Sequence, residues 1–125
     1  MLAYLWIAIG GALGSVGRFW FSGVVGRQFG ETFPWGTLLI NVSGSLVLGF
    51  LFALTVERGV LPAESRAPLM VGFIGAYTTF STLMLESWRL IEDGSVVTGV
   101  LNIAGSSIIG IVAVLVGLTL GRAIP

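Results

Sequence analysis

Four long stretches without a charged residue constrain the fold of this chain more than any other feature of its sequence. They cover residues 1–17, 32–56, 67–85 and 94–121. A helix that crosses the hydrocarbon core of a bilayer needs about 20 mostly apolar residues. The sequence is 55% hydrophobic and 10% charged, whereas a soluble domain carries about 25% charged residues. The chain is therefore predicted to be a small integral membrane protein.

The uncharged stretches extend into four predicted transmembrane helices joined by short loops. The first apolar run resumes beyond Arg18, so that we expect spans at about 3–26, 34–56, 67–91 and 96–121. Such runs are too long for the strands of a membrane β-barrel, which alternate in polarity over about 10 residues. The expected fold is one all-α transmembrane domain over residues 1–125.

The composition excludes several classes of function. The chain has no Cys and no His, which removes thiolate nucleophiles, disulfides and the usual metal ligands and proton carriers. Without these residues or a carboxylate pair at mid-membrane, no general acid–base set can be assembled, and an enzyme is not expected. Six acidic residues balance six basic ones, so that electrostatic binding of a nucleic acid is not expected either.

Arginines close to the span ends set the orientation of a membrane protein. The side with the termini carries Arg58, Arg66 and Arg122, whereas the opposite side carries Arg27 and Arg89. This near balance permits insertion in both orientations and hence an antiparallel homodimer. A single, weakly specified topology is the alternative.

Polar residues within the spans need partners, because hydrocarbon offers none. Asn41 lies near the middle of the second span, and Asn102 and Ser106 share one face of the fourth. Such side chains can join helices by hydrogen bonds, or they can line a polar path. The sequence alone leaves both interpretations open.

The third span has an unusual composition for a continuous helix. Residues 72–82 include two Gly, three Thr, one Ser and one Tyr, and Gly and Thr lower helix propensity. We expect a break at Gly75–Thr79, whose exposed carbonyls could hold a cation such as Na⁺. An intact helix with Thr hydroxyls bonded to its backbone is the alternative.

Arg18 and Glu86 are the only charged residues expected deep in the membrane. Each is costly there unless it is paired or lies in a water-filled vestibule. Alternatively, the long Arg side chain could extend to the interface.

Three motifs together resemble the Fluc/CrcB fluoride channels over essentially the whole chain. They are G-x-x-G-x-x-G-R-F at 11–19, G-T-L-L-I-N-V-S-G-S at 36–45 and G-F-I-G-A-Y-T-T-F-S-T at 72–82. The resemblance implies an antiparallel, dual-topology homodimer in a microbial cell membrane, in bacteria the inner membrane. Each dimer is expected to hold two anion pores and to export fluoride passively from the cytoplasm.

The resemblance also implies roles for individual residues. Arg18 and Glu86 match family charges near the pore, in a vestibule or gating position. The Gly75 and Thr78 carbonyls are expected to bind a structural Na⁺ at the dimer interface. The expected residues of the fluoride pore are Asn41, Phe80, Ser81, Thr82, Leu83 and Ser106.

Leu83 departs from the family pattern, in which a second Phe usually follows the first by three residues. A Phe ring has a partly positive edge that can contact an anion, and Leu has none. We therefore expect slower fluoride passage in this chain than in a Leu83→Phe variant.

A small proton-coupled multidrug exporter is the main alternative function, because such proteins can also be four-span, dual-topology dimers. These exporters typically need a membrane-embedded carboxylate in the first span, and this chain has none there. A purely structural membrane subunit is a third possibility, and the mid-membrane Asn41 argues against it.

Overall fold

The computed structural model covers residues 1–125 and is entirely helical. Three long helices have these bounds: α1 Leu2–Phe29, α2 Trp35–Phe52 and α5 Val96–Ala123. A wider π-helical turn at Ala53–Glu57 continues α2. The third span lies between α2 and α5 and is irregular.

The third span consists of several segments with different helical geometry. A short 3₁₀ turn at Ala63–Ser65 leads into a π-helix at Ala67–Ile74. The remaining helices are α3, Gly75–Tyr77, and α4, Ser81–Glu92. Between them Thr78 is extended, with φ −83° and ψ 157°. The predicted break is confirmed, and the alternative of an intact third helix is wrong.

Four helical stretches are long and apolar enough to cross a bilayer. They are Leu2–Phe29, Trp35–Glu57, Ala63–Glu92 and Val96–Ala123, with 28, 23, 30 and 28 residues. All exceed the ~20 residues that a span requires. The predicted all-α fold with four transmembrane helices is confirmed.

Glycines allow the spans to pack with their backbones in close contact. A Cβ at Gly117 would overlap the Leu46 carbonyl of α2, and one at Gly49 would overlap the Val114 carbonyl of α5. Likewise, a Cβ at Gly14 of α1 would overlap the Phe73 carbonyl of the third span. Small residues at such contacts are how helices associate in lipid, where burial from water gives no driving force.

The surface of the chain is mostly apolar. Only 20 of the 125 residues are buried, and large side chains such as Leu13, Val16 and Phe19 on α1 point outward. A surface of this kind suits lipid as its solvent, and the chain is accordingly a multi-pass membrane protein.

Arginines join the spans at the end of the bundle that holds both termini. Arg122 forms a bidentate ion pair with Glu57, in which Nε and Nη2 each donate to one carboxylate oxygen at 2.7 Å. Arg58 donates to the Gly121 carbonyl at 2.9 Å and thereby satisfies a helix-end acceptor of α5. The arginines that set orientation in the sequence thus also hold this end together.

Candidate functional site

Asn41 of α2 binds the break in the third span through both ends of its side-chain amide. Its Nδ2 donates to the Thr79 carbonyl at 2.9 Å, and the Thr79 N–H donates to its Oδ1 at 2.8 Å. The side chain therefore replaces the backbone partners that Thr79 loses where the helix is interrupted. One N–H of the amide remains for another acceptor.

Two carbonyls at the break lose the donors that a continuous helix would provide. In a continuous helix the Thr79 N–H would donate to the Gly75 carbonyl, but here it donates to Asn41 Oδ1. The Thr82 N–H would likewise donate to the Thr78 carbonyl, but here it donates to Thr79 Oγ1 at 3.3 Å. The Gly75 and Thr78 carbonyls can therefore accept another partner. Unwound backbone carbonyls of this kind coordinate Na⁺ in other membrane proteins.

Arg18 lies at the level of the break. Its Nε donates to the Ala76 carbonyl of α3 at 3.2 Å. A guanidinium at this place offsets the partial negative charge of carbonyls at a helix end. The structure thus directs Arg18 inward to the third span, and not along the helix towards the interface.

An open groove of about 440 Å³, called the groove below, runs along the break in the third span. It is lined by Asn41, Thr78, Phe80, Leu83 and Ser106 among other residues, none of which is charged. Its two predicted pore residues with apolar side chains differ in exposure, because Phe80 is 72% exposed and Leu83 only 7% exposed. Phe80 immediately precedes α4, and its carbonyl accepts the Met84 N–H at 3.0 Å, so that Phe80 and Leu83 both face the groove.

A second cavity of about 340 Å³, the inner cavity, lies on the other side of the break. Arg18, Thr82 and Glu86 line it together with Thr79, which also lines the groove. The Glu86 Oε1 accepts a hydrogen bond from Thr37 at 2.8 Å, whereas its Oε2 is buried without a partner. The inner cavity thus brings together both of the charges that the sequence placed within the spans.

A third cavity of about 460 Å³, the mouth cavity, opens at the end of the bundle opposite the termini. Arg89 lines it with three acidic residues, Glu31, Glu86 and Asp93. Glu86 and Thr37 line both the mouth cavity and the inner cavity. The three cavities therefore follow one another from the bundle end to the break.

The structure places the predicted pore residues in two groups and leaves one apart. Asn41, Phe80, Leu83 and Ser106 line the groove, and Thr82 lines the inner cavity with the two charges. Ser81 is exposed and lines none of the three cavities.

Sequence reasoning did not identify Thr37, Thr79 or Ser22 as site residues, although Ser22 lines both the inner cavity and the mouth cavity. A spacing signal was present for two of them, because Thr37 precedes Asn41 by four residues and Ser22 follows Arg18 by four. Residues four apart lie on the same helix face. Thr79 lies in the break itself, where helical spacing does not apply.

Comparisons with known proteins agree on one family. The family described as CrcB-like protein, Camphor Resistance (CrcB), matches residues 5–118. A protein named fluoride-specific ion channel FluC from Maridesulfovibrio salexigens is 48% identical over 124 residues, which are 99% of this chain and 98% of the relative.

Two further relatives carry the same name. The one from Opitutus terrae is 47% identical over 119 residues, or 94% of this chain and 90% of the relative. The one from Methylococcus capsulatus is 49% identical over 116 residues, or 93% of this chain, and the match spans 51% of that relative's length.

Proposed function

Because the chain belongs to the CrcB family, we propose that it is a fluoride-selective passive channel that exports fluoride from the cytoplasm. The observation that carries the proposal is the uncharged groove beside the break, in which Asn41 offers an amide N–H. The relatives are named as fluoride channels, which agrees with the prediction of a transport protein rather than an enzyme.

The groove supplies the donors that a small, strongly hydrated anion requires. The free N–H of Asn41 can replace water around fluoride, and the Ser106 hydroxyl can do so once it releases Asn102, to which it donates at 3.5 Å. The exposed Phe80 ring can turn its partly positive edge to the ion. Since no fixed positive charge lines the groove, the ion is not trapped, and conduction requires that it leave as readily as it enters.

Charged residues act at the approach to this path. Arg18 lies in the inner cavity and attracts anions towards the break, whereas Glu86 opposes them. Thr37 donates to Glu86 and keeps one carboxylate oxygen occupied. We assign Arg18 and Glu86 a vestibule or gating role in the passage of fluoride.

A second copy of the chain would complete the pore. The groove is open on the surface of one chain, and Phe80 beside it is 72% exposed, so that one wall is missing. The near balance of arginines at the two bundle ends supports an antiparallel arrangement of two copies. By symmetry such a homodimer contains two equivalent grooves and hence two anion pores.

The same dimer would place a structural Na⁺ at its interface. The Gly75 and Thr78 carbonyls of each copy lack their helical donors, and Gly75 is exposed. The chain has no cluster of acidic, His or Cys side chains that could hold a metal ion. We therefore assign the role of Na⁺ ligands to these backbone carbonyl oxygens. A bound Na⁺ would join the two breaks by satisfying their carbonyls.

Fluoride efflux from liposomes that contain the purified protein tests the channel proposal. Valinomycin and K⁺ provide the compensating charge, a fluoride electrode reads release, and chloride is measured in parallel. We expect fast fluoride release that depends on valinomycin, with chloride retained. A fluoride-to-chloride permeability ratio near one, or no release from a folded protein with Phe at position 83, would overturn the proposal.

A further inference from the structure

A buried chain of polar side chains connects α4 to the groove, and we call it the serine–asparagine chain (Ser87, Asn102 and Ser106). Ser87 Oγ donates to the Leu83 carbonyl at 2.7 Å, and Asn102 Nδ2 donates to Ser87 Oγ at 2.9 Å. Ser106 Oγ donates to Asn102 Oδ1 at 3.5 Å. Ser87 is 0% and Asn102 2% exposed, and of the three only Ser106 lines the groove.

The hydrogen bonds of the serine–asparagine chain all run in one direction, from Ser106 through Asn102 and Ser87 to the backbone of α4. The Ser106 proton points to Asn102, so that Ser106 presents oxygen lone pairs to the groove. Lone pairs repel an anion. The bond that holds the proton in this direction is the weakest of the three, because 3.5 Å is longer than the range of about 2.5–3.0 Å that is typical of an O–H···O bond.

The three side chains can also bond in the opposite direction, in which only the Leu83 carbonyl loses a donor, the Ser87 hydroxyl. A half-turn of the Asn102 amide places Nδ2 beside Ser106 and Oδ1 beside Ser87. Asn102 then donates to Ser106 Oγ, Ser87 donates to Asn102 Oδ1, and the Ser106 proton is free to point into the groove. Every buried polar side-chain atom keeps a partner, which a buried network requires.

We propose that the serine–asparagine chain reverses when an anion enters the groove, and that Asn102 thereby positions the Ser106 proton as a donor to that anion. The proposal rests on the fluoride-channel function given above. Asn102 is a positioning residue, since it lies behind Ser106 and lines no part of the groove. An amide at 102 suits this role, because it accepts at one end and donates at the other.

Double-mutant cycles on fluoride efflux test this proposal. Ser87→Ala and Asn102→Leu are each introduced into the wild-type protein and into the Ser106→Ala variant. Ser87 is the sharper site, because it is fully buried and does not itself line the groove. Thr119→Ala is the matched control, because the Thr119 hydroxyl on α5 bonds only its own helix, to the Leu115 carbonyl. The unfolding temperature of each variant is measured in detergent.

We expect Ser87→Ala to slow fluoride efflux about threefold and Asn102→Leu about tenfold in the wild-type chain. In the Ser106→Ala chain neither change should slow it further, and Thr119→Ala should have no effect in either. Equal losses in both chains would show that the network only joins the helices and would overturn the proposal.

Two further outcomes are also decisive. If Asn102→Leu does not fold, the Ser87→Ala cycle alone gives the answer, since it removes only one oxygen. If the folded wild-type chain does not release fluoride, the same cycles are run in the Leu83→Phe variant, and if that variant does not release fluoride either, the channel function fails and the proposal fails with it. Wild-type release with no coupling between Ser87 and Ser106 overturns the proposal and leaves the channel function in place.

Discussion

The Asn41 side chain and the Thr79 backbone form a pair of hydrogen bonds, one in each direction, at 2.9 and 2.8 Å. The two residues are 38 positions apart in the chain. This pair fixes the extended backbone at the break, and it orients the Asn41 amide so that its remaining N–H is available at the groove. One side chain therefore supports the irregular backbone and also lines the proposed ion path.

Asn41→Asp should disrupt both roles. The Asp carboxylate still accepts from the Thr79 N–H, but it places an acceptor against the Thr79 carbonyl. A buried polar group left without its partner costs about 1–3 kcal/mol. We expect a lower unfolding temperature in detergent and at least about a tenfold loss of fluoride efflux. Unchanged efflux in a folded Asp variant would contradict the role given to the amide donor.

Leu83→Phe should increase the rate of fluoride passage. Leu83 lines the groove, and an aromatic ring there would present a partly positive edge to the ion. We expect efflux about threefold faster, which corresponds to about 0.7 kcal/mol at the barrier. Because Leu83 is only 7% exposed, the larger ring should also lower the unfolding temperature.

Leu83→Met serves as the control for this prediction. It nearly conserves volume and adds no ring, and should therefore leave efflux unchanged. Equal efflux from the Leu and Phe proteins would show that a ring at this position is dispensable.

Arg18 should contribute through its charge and through its bond to Ala76. Arg18→Gln removes the charge that attracts anions to the inner cavity, and it loses the guanidinium donor. Arg18→Lys keeps the charge but not the planar donor group. We expect efflux to fall about tenfold for Gln and about threefold for Lys. Equal losses in the two variants would assign the effect to the hydrogen bond alone.

Sequence patterns predicted the spans and the break well, for physical reasons that are local. Apolar runs of the required length specify spans, and the Gly and Thr residues at 72–82 indicate weak helix propensity. The partners at the break were not predictable, because the Asn41–Thr79 and Arg18–Ala76 bonds join residues 38 and 58 positions apart. Long-range contacts of this kind depend on how the spans pack.

The sequence also gave no sign of the π-helical segments at Ala53–Glu57 and Ala67–Ile74. These lie where Thr55 of one contacts Met70 of the other at 3.5 Å, so that packing between two spans accompanies the wider turns. The spacing of three correctly places Phe80 and Leu83 along one groove, because Phe80 has helical dihedral angles and its carbonyl accepts the Met84 N–H. That spacing alone could not predict that Phe80 is exposed and Leu83 buried.

Removal of Na⁺ should weaken the association of the chain with a second copy. If Na⁺ is bound by the Gly75 and Thr78 carbonyls of two copies, it stabilises the dimer by an amount that grows with the logarithm of its concentration relative to its dissociation constant. At about 100 times that constant the gain is about 2.7 kcal/mol. We expect a lower unfolding temperature and more monomer in N-methylglucamine than in Na⁺ at equal ionic strength. Identical unfolding in both salts would exclude a structural Na⁺.

Gly117→Ala should prevent α5 from packing against α2, even though it adds a single methyl group. A Cβ at Gly117 would overlap the Leu46 carbonyl and lie 2.8 Å from the Phe50 N atom. Neither can move without displacing the α2 backbone. Overpacking of this kind typically costs about 1–3 kcal/mol, and we expect a clear fall in the unfolding temperature. Gly105→Ala is the matched control on the same helix, because a Cβ there meets no atom within 4 Å. If the two variants unfold at the same temperature, the close contact between α2 and α5 does not limit stability.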